Sequence, residues 1–454
     1  MAKRTKKEIA LTPEEKLQQE LVPVEEQLYP VPANWCWVRH NTILDISGGS
    51  QPAKSLFISE PRDGYIQLYQ TRDYGEHPVP VYIPIEYATK TTNEGDILLA
   101  RYGGSLGKVF RAHNGAYNVA LAKVTKLIPA TLNDEFLFLY YQSHFYQDFC
   151  VHAASGRSAQ AGFNRNDMDN LLFPLPPLPE QQRIVARIDS LFAKLDEVKE
   201  KAQAVVDGYE NRKAAILHKA FTGELTAKWR KEHNIEFTQW KNLKISDCCK
   251  VGSGGTPSRK HPDYYNGSIP WIKTGEIDWS EIYDTEEKIT QSAIDNSSAK
   301  LYPAGAVVVA MYGMGVTRGR AAILNVPATT NQAVCVLQPK EGLFNRYLFY
   351  YFMCNYWNIR EKAVGGNQLN LSATIIKDFK IQVPEITEQH VIVKSLDKIF
   401  NHEKCVLEFS ESVLNQIDTM KKSILARAFR GELGTNDPSD EPAIELLKRV
   451  LQEE

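Results

Sequence analysis

Apolar positions recur every three or four residues through two long stretches of the chain. The first covers residues 180–222, contains no proline and is interrupted only by Arg212, whereas the second begins near residue 388 and is interrupted by Glu403 and Ser410. A heptad seam sustained over about four repeats predicts a long helix of coiled-coil type in each stretch. The seam residues are Ile184, Ile188, Leu191, Leu195, Val198, Ala202, Val205, Tyr209 and Ile216 in the first stretch, and Ile392, Leu396, Ile399, Val406, Val413, Ile417, Met420 and Ile424 in the second.

Matching seams on two helices of similar length favour antiparallel packing of one helix on the other. Two independent surface helices are the alternative. Arg212 and Glu403 interrupt the seams, so they either pair across them and fix the register or are two unrelated exposed charges.

The long stretches belong to a repeat that covers most of the chain. PPLPEQQRIVARIDSLF recurs as PEITEQHVIVKSLDKIF, and AILHKAFTGEL recurs as SILARAFRGEL, with the same offset at both places (388 − 180 = 208 and 431 − 223 = 208). Upstream, GDILLARYGGSLGKV resembles GAVVVAMYGMGVTRGRA, and FLFLYYQ resembles YLFYYFM. Each copy opens near a tryptophan, Trp35 or Trp37 in the first and Trp240 in the second. The chain is therefore a tandem duplication whose copies share a core and differ in their loops.

The two repeated modules, residues 32–177 and 240–383, have a mixed pattern. Short apolar runs bounded by glycine or proline, such as residues 97–100 and 307–310, are typical of strands. The aromatic-rich stretches 134–149 and 343–357 have helical length, and we expect one helix in each. The predicted class is α+β, with two similar domains that two long antiparallel coiled-coil helices separate and join, and with a curved, mostly irregular sheet in each.

Short helices are expected at both ends of the chain, after Thr12-Pro13 and over PAIELLKRVLQ. The two tails are expected to meet, so that the second long helix returns to module one as residues 224–239 join the first helix to module two. The expected order is an N-terminal tail (1–31), module one (32–177), the central helix (178–223), a linker (224–239), module two (240–383), the distal helix (384–433) and a C-terminal tail (434–454).

Composition excludes several classes of protein. With 43% hydrophobic residues the chain can bury substantial cores, which excludes global disorder. No apolar run approaches the roughly 18 residues of a membrane span, and the N-terminus has no signal-peptide pattern. Seven cysteines and ten histidines show no metal-ligand spacing. The odd, unpatterned set of cysteines fits a reducing cytoplasm. The adjacent Cys248 and Cys249 fit a strand edge better than a redox pair.

Two glycine-rich stretches invite comparison with nucleotide-binding loops and fail it. Tyr102 stands where a phosphate loop needs its first glycine, and Gly319 falls one place too late for a dinucleotide fingerprint. Both stretches are better explained as the same hairpin turn in two copies, either purely structural or a basic loop that touches phosphates. No methyltransferase, metal or nucleophile motif stands out, so we predict no active site.

The repeat resembles the specificity subunit of type I restriction–modification systems. The resemblance covers nearly the whole chain. The motifs that carry it best are LPPLPEQQRIV, with its degraded copy VPEITEQHVIV, and AFTGEL, with its copy AFRGEL. GSIPWIKTGEI, LYPAGAVVVAMYG and TTNQAV add family-like detail in module two. Module one departs more, with SGRSAQAGFNRND where module two has GGNQLNLSAT.

The resemblance implies that each module is a target-recognition domain for one half of a split site in double-stranded DNA. The helix pair would set the gap and hold two modification subunits, which would carry S-adenosylmethionine and methylate adenine. Restriction subunits with motor and nuclease activity would cleave unmodified DNA in the bacterial or archaeal cytoplasm, and the chain itself would be neither catalytic nor cofactor-binding. The formal charge of −2 is low for a solitary DNA binder, so partner subunits would supply positive surface.

Two other functions remain open: a two-headed protein-binding scaffold without nucleic acid, and a self-contained DNA methyltransferase. If the chain is a DNA-specificity subunit, basic and amide side chains in the turns and loops are candidate DNA contacts. They are Arg101 and Lys108, with Arg318 and Arg320, at the repeated turn; Arg157, Ser158 and Gln160, with Asn367 and Gln368, before the long helices; and Arg259, Lys260 and Lys273 in a basic stretch of module two.

Shortening the long helices tests the implied role of the helix pair. Removing one helical turn is expected to change the tolerated gap between half-sites and to leave the half-site sequences unchanged, because a rigid helix enforces a spacing that a flexible linker does not. Selection of bound duplexes from a pool randomised in sequence and gap measures both. Retained half-sites with an unchanged gap would reject the idea.

Overall fold

The computed structural model describes residues 13–155, 162–313, 315–365 and 369–453, and the chain forms two compact units. Unit 1 comprises Met1–Lys201 and Ser412–Glu454, and unit 2 comprises Ala202–Glu411. The chain passes from unit 1 to unit 2 within one long helix and returns within the other, so each unit holds one module and part of both helices.

The elements follow in chain order, without the short 3-10 turns. Up to the first long helix, the helices are α1 (Pro13–Glu20), α2 (His40–Ile43), α3 (Asp134–Gln142), α4 (His144–Ser155), α5 (Arg165–Asp169) and α6 (Leu178–Asp207). The strands are β1 (Cys36–Arg39), β2 (Leu44–Gly48), β3 (Tyr65–Tyr69), β4 (Tyr82–Pro84), β5 (Thr91–Thr92), β6 (Ile97–Ala100), β7 (Val109–Arg111), β8 (Gly115–Tyr117), β9 (Leu121–Lys126) and β10 (Leu172–Leu175).

The remaining helices are α7 (Tyr209–Phe221), α8 (Ala227–Glu232), α9 (Ile245–Cys248), α10 (Gln291–Asp295), α11 (Asn345–Cys354), α12 (Tyr356–Arg360), α13 (Ala373–Asp378), α14 (Ile386–Ala428) and α15 (Ala443–Glu453). The remaining strands are β11 (Lys241–Lys244), β12 (Cys249–Ser253), β13 (Ile269–Ile272), β14 (Glu281–Ile282), β15 (Lys288–Ile289), β16 (Val307–Ala310), β17 (Ala321–Leu324), β18 (Thr329–Thr330), β19 (Val334–Pro339) and β20 (Lys380–Val383).

The two units share the topology of their core sheets, as the repeat predicts, and among the described residues they differ at the sheet edges, where unit 2 adds β14 and unit 1 adds β5. The main sheet has the order β2-β9-β6-β7 in unit 1 and β12-β19-β16-β17-β14 in unit 2, and the pair β1-β10 corresponds to β11-β20. A second sheet has the order β4-β3-β8-β5 in unit 1 and β15-β13-β18 in unit 2. Its central pairs, β3-β8 and β13-β18, are both parallel. The α+β class and the duplication are therefore confirmed.

Three expectations about these elements are wrong. Each module holds separate sheets, not one irregular sheet. Each aromatic-rich stretch forms two helices, because the Ser143 hydroxyl donates to the Tyr140 carbonyl (2.6 Å) and the Asn355 amide donates to the Tyr351 carbonyl (3.0 Å). Such side-chain bonds compete with the helical ladder and end the helix. The first long helix is also interrupted, at Gly208, where α6 ends and α7 begins, because glycine has the largest backbone entropy to lose in a helix.

Each unit contains an antiparallel pair made from parts of the two long helices. In unit 2 the chain enters through α6 and leaves through α14, and Arg212 Nε lies 2.9 Å from Glu403 Oε2 across the pair. The alternative in which these are two unrelated exposed charges is wrong. In unit 1, Lys421 Nζ bonds Asp196 (2.6 Å) and lies 5.0 Å from the centre of the Phe192 ring.

A buried carboxylate at the start of each long helix ties distant parts of its unit together. In unit 1, Glu180 is fully buried and accepts hydrogen bonds from the Trp35 indole (2.7 Å) and the Asn436 amide (2.7 Å). In unit 2, Glu388 is 1% exposed and accepts a hydrogen bond from the Trp240 indole (2.9 Å). Of the two candidate tryptophans in module one, Trp35 is therefore the counterpart of Trp240.

The second set of donors to Glu388 comes from the segment that follows α7. Thr226 Oγ1 and Arg230 Nη1 each lie 2.6 Å from Glu388 Oε1. The short helix α8, which carries Arg230, is thereby fixed to the start of α14 within unit 2. The repeated Glu thus has the same structural role in both units, with a neutral amide opposite it in unit 1 and a guanidinium in unit 2.

The adjacent glutamine of the repeat connects the same helix to the module. Gln181 donates to the Thr131 and Pro176 carbonyls and accepts from the Asn133 backbone N–H (2.8 Å), just before α3. Gln389 makes the equivalent set, donating to the carbonyls of Gly342 and Pro384 and accepting from the Phe344 N–H, just before α11. Both polar atoms of this glutamine side chain are satisfied in each unit, with three hydrogen bonds in total, as buried polar groups require.

The first and last helices of the described residues, α1 and α15, meet in unit 1, which is the arrangement that the repeat predicts. The amphipathic helix α15 packs against α1, and Ala443 and Leu447 join Leu17 in the core cluster of that unit. Arg183 of α6 bonds the Thr435 carbonyl (2.9 Å) and the Asp440 carboxylate, which fixes the segment that leads to α15. Among the helices of the described residues, none combines the length and the apolar character that crossing a membrane requires.

Removing the buried cation tests the importance of the carboxylate network. Arg230→Ala leaves Glu388 buried without its charge partner, and breaking a buried pair in this way costs about 3–5 kcal/mol. We expect a clear loss in the free energy of unfolding, measured by urea denaturation of the full chain. Lys228→Ala on the same short helix is the control, because the Lys228 side chain is exposed and makes only a surface ion pair, with 3.9 Å between its Nζ and Glu232 Oε1. Equal losses in the two variants would contradict this account.

Candidate nucleic-acid interface

The repeated glycine-rich stretch is a hairpin turn in both units. In unit 1 it joins the antiparallel strands β6 and β7, and in unit 2 it joins β16 and β17. Gly107 and Gly319 occupy equivalent places in the two turns, with φ of 82° and 88°. Both need the left-handed region that favours glycine, which explains why the glycine recurs although its neighbours differ.

In unit 1 the turn is braced by the helix that follows α3. Gln147 of α4 donates its amide to the Gly107 carbonyl (2.8 Å). The Arg101 guanidinium does not extend into solvent, because it donates to the Tyr102 hydroxyl (2.9 Å) with its centre 5.0 Å from the Tyr102 ring. Lys108 is exposed and has no side-chain partner among the described residues. Of the two candidates at this turn, Lys108 is the exposed one, and both stay predictions as DNA contacts.

In unit 2 the equivalent brace is an arginine. Arg360 at the end of α12 donates Nη1 to the Arg318 carbonyl (2.5 Å) and Nη2 to the Gly315 carbonyl (2.7 Å). Tyr356, one turn earlier on the same helix, donates its hydroxyl to the Val316 carbonyl. Three backbone carbonyls of one turn are therefore held by one short helix.

The two candidate arginines of the unit 2 turn have different partners. Arg318 donates Nη1 to the Leu369 carbonyl, which links the turn to the segment after residue 368. Arg320 is paired with Asp278, with 2.5 Å between Nη1 and Oδ1. The positive charge of Arg320 is therefore compensated within unit 2, whereas that of Arg318 faces only a neutral carbonyl.

The basic stretch of module two is also largely compensated. Arg259 bonds Glu287 (2.7 Å) and lies over the Tyr265 ring, 4.0 Å from its centre. Lys273 lies 3.1 Å from Glu286 and 3.2 Å from Glu287. These contacts compensate the charges of Arg259 and Lys273 within unit 2, and both residues stay predictions as DNA contacts. Lys260, which is exposed, has no side-chain partner among the residues that the structure describes.

The other candidate contacts lie outside the described residues. They are Arg157, Ser158 and Gln160 in module one and Asn367 and Gln368 in module two. They stay predictions.

Sequence reasoning missed Gln147 and Arg360, which brace the two turns, and the exposed Trp357 beside Arg360. Trp357 is 67% exposed, and its ring centre lies 5.5 Å from the Arg360 guanidinium. Both braces lie on the second helix of their aromatic-rich region, Gln147 on α4 and Arg360 on α12. A prediction of one helix in each stretch does not separate this second helix from the first.

No other chemistry competes for these sites in the described part of the chain. There, no group of three or more His, Cys, Asp and Glu side chains is placed to hold a metal ion. Cys248 and Cys249 lie buried where α9 meets β12, an edge strand of its sheet, and the hydrogen bond between the two thiols is the largest cause that lowers the pKa of Cys248 and raises the pKa of Cys249. The strand-edge interpretation of the cysteine pair fits this placement.

Two units of one topology, each with a braced hairpin turn of its own composition, define a protein built from a duplicated recognition unit. The family model described as the type I restriction modification DNA specificity domain matches residues 32–206 and again residues 238–408. The chain belongs to this family and carries its domain twice. It is a specificity subunit, a class without catalytic activity of its own.

Individual relatives agree with this assignment. The EcoR124I/EcoR124II specificity subunit of Escherichia coli is 32% identical over 196 residues, which cover 39% of this chain and 48% of the relative. The MjaVIII specificity subunit of Methanocaldococcus jannaschii is 23% identical over 414 residues, which cover 89% of this chain and 94% of the relative. The chain thus matches about half the length of the first relative and nearly all of the second.

Solved structures support the fold. The HsdS subunit from Thermoanaerobacter tengcongensis superposes with a TM-score of 0.65 at 19% identity, covering 90% of this chain and 100% of that one. A chain from a type I restriction–modification system solved to explain complex assembly superposes with a TM-score of 0.62, also at 19% identity.

A glycine substitution tests the seating of the unit 2 turn on α12. A Cβ at residue 319 would lie 3.1 Å from Arg360 Cγ, whereas a Cβ at Gly342, with nearly the same φ, would meet nothing within 4 Å. Gly319→Ala and Gly342→Ala share the cost of left-handed backbone, about 1–2 kcal/mol. We expect Gly319→Ala alone to speed amide hydrogen exchange across residues 315–320. Equal exchange in the two variants would show that this turn does not depend on Arg360.

Proposed function

We propose that this chain recognises a bipartite site in double-stranded DNA, with one half-site read by each unit. The observation that carries the proposal is the duplicated specificity domain: the two copies have one topology and differ at the surface turns. A shared core with different loops is the arrangement expected of two readers of different sequences.

The proposal includes the partners that complete the system. Two modification subunits would bind this chain, carry S-adenosylmethionine and methylate adenine within the recognised site, while restriction subunits cleave unmodified DNA in the cytoplasm. The formal charge of −2 is low for a solitary DNA binder, so neutralising the phosphates would require positive surface that the partners supply. The chain itself would direct these activities without a cofactor of its own.

Selection from a randomised duplex pool tests the recognition. The full chain, co-expressed with a methyltransferase subunit, is expected to enrich duplexes with two conserved blocks separated by an unconstrained gap. A complex that enriches no DNA would contradict the proposal and favour a protein-binding scaffold. Methylation by the chain alone would favour a self-contained methyltransferase.

Matched variants at the two turns test the assignment of one half-site to each unit. Ser105→Ala alters the turn of unit 1, and Thr317→Ala alters the turn of unit 2, each by removing one half-buried hydroxyl. We expect each variant to relax one block, and the two variants to relax different blocks, because a lost base contact costs about 1–3 kcal/mol at its own position only. If both variants relax the same block, or neither relaxes any, the assignment is wrong.

A further inference from the structure

We propose that Arg318 and Arg360 together bind a backbone phosphate of the half-site read by unit 2, and that the unit 1 turn lacks this contact. The inference rests on the proposed function, and it names a pair of residues and a ligand group for one of the two units. Arg360 is not among the candidates that the sequence alone suggests.

Both guanidinium groups are held in place by neutral hydrogen-bond acceptors. Arg360 is held by the carbonyls of Arg318 and Gly315, and Arg318 by the carbonyl of Leu369. A guanidinium has five N–H donors, so the two bonds of Arg360 leave three donors for a ligand. Carbonyl oxygens are neutral, so the pair keeps both of its positive charges.

No carboxylate of the described residues lies within ion-pair distance of either guanidinium. Other cations of this unit do have such partners: Arg320 pairs with Asp278, Arg259 pairs with Glu287, and Lys288 pairs with Asp284. Burial and the nearby charge of Arg360 lower the pKa of Arg318 from its ordinary value. Two like charges near each other repel, and a phosphate bound by both would offset that repulsion.

Aromatic rings hold the Arg360 guanidinium at the surface. Its central carbon lies 5.0 Å from the centre of the Tyr356 ring and 5.5 Å from that of the Trp357 ring. The Trp357 side chain is largely exposed, so the site is open to a large ligand. A planar guanidinium stacked on a ring loses little entropy when it binds phosphate, which distinguishes it from a free lysine.

The comparison of the two units shows that the positive charge is not required for the brace. In unit 1, the neutral Gln147 amide supports the Gly107 carbonyl from the equivalent helix. Leu106, the residue before Gly107, stands where unit 2 has Arg318 before Gly319. A neutral amide and an apolar residue thus suffice for the turn, and the two arginines of unit 2 add charge to a brace that does not need it.

The unit 1 residue supplies the test variant. Arg360→Gln keeps a donor of the kind that braces the unit 1 turn and removes the charge, whereas Arg360→Lys keeps the charge and loses the paired donors. Each full-length variant is purified with the methyltransferase subunit, and its binding to a duplex selected by the wild-type complex is measured by fluorescence anisotropy at several salt concentrations. Each phosphate neutralised on B-DNA contributes about 0.9 to the slope of log Kobs against log salt.

We expect Arg360→Gln to lower the magnitude of this slope by about 0.9, with the same loss of affinity for every sequence, and Arg360→Lys to retain the wild-type slope. Lys288→Gln is the control of equal charge change, because Lys288 is already paired with Asp284, and it should leave the slope unchanged. Thermal unfolding of each complex establishes that the variants are folded.

Three outcomes would overturn the inference. They are an unchanged slope in Arg360→Gln, a loss in Arg360→Lys but not in Arg360→Gln, and a change of base preference with an unchanged slope, which would make Arg360 a base reader. Failure of the proposed function is recognised separately, because the wild-type complex would then select no duplex.

Discussion

The structure depends on one buried carboxylate at the start of each long helix. Glu180 and Glu388 are removed from water, and an ion in that position costs several kcal/mol unless hydrogen bonds and charges compensate it. The compensation comes from the first tryptophan of the module and from the segment that follows a long helix, Asn436 in unit 1 and Arg230 in unit 2. Three parts of the chain, far apart in sequence, are thus brought to one point in each unit, which explains why the Glu recurs at an offset without insertions.

The neighbouring glutamine connects the start of each long helix to the part of the module that supports the surface turn. Gln181 and Gln389 hold the backbone just before α3 and α11, and the next helix in each unit, α4 or α12, carries the side chain that braces the turn. The connection from a long helix to the hairpin turn of the same unit therefore consists of satisfied buried polar groups and packed aromatic helices. Such a path positions a surface residue more firmly than a loop alone, because every link is either buried or hydrogen-bonded at both ends.

Local patterns predicted the parts of the fold that local chemistry determines. The long helices followed from their seams, the Arg212–Glu403 pair from its place in those seams, and the hairpins from strand runs on either side of a glycine-rich turn. The parallel pairs β3-β8 and β13-β18 were missed because they join short strands through long crossovers without a periodic signal. The helix breaks at Ser143 and Asn355 were missed because each depends on one side-chain bond to a carbonyl, which periodicity does not detect. For the site, sequence alone identified cations but not their partners, so Arg259 and Lys273 could not be separated from Lys108.

That separation matters for a chain whose formal charge is close to zero. A near-neutral protein binds a polyanion at places where positive charge is left without a nearby carboxylate, since paired cations contribute little field beyond their partners. In unit 2 the acidic residues 278, 286 and 287 compensate three of the basic candidates, and the charge that stays uncompensated at the turn belongs to Arg318 and Arg360. In unit 1 the equivalent brace is neutral, and the exposed charge is Lys108 at the end of the turn. The duplicated fold thus keeps the support of the turn constant, while the charge carried by that support differs between the copies. Under the proposed function, this difference would let the two units meet a DNA backbone in different ways.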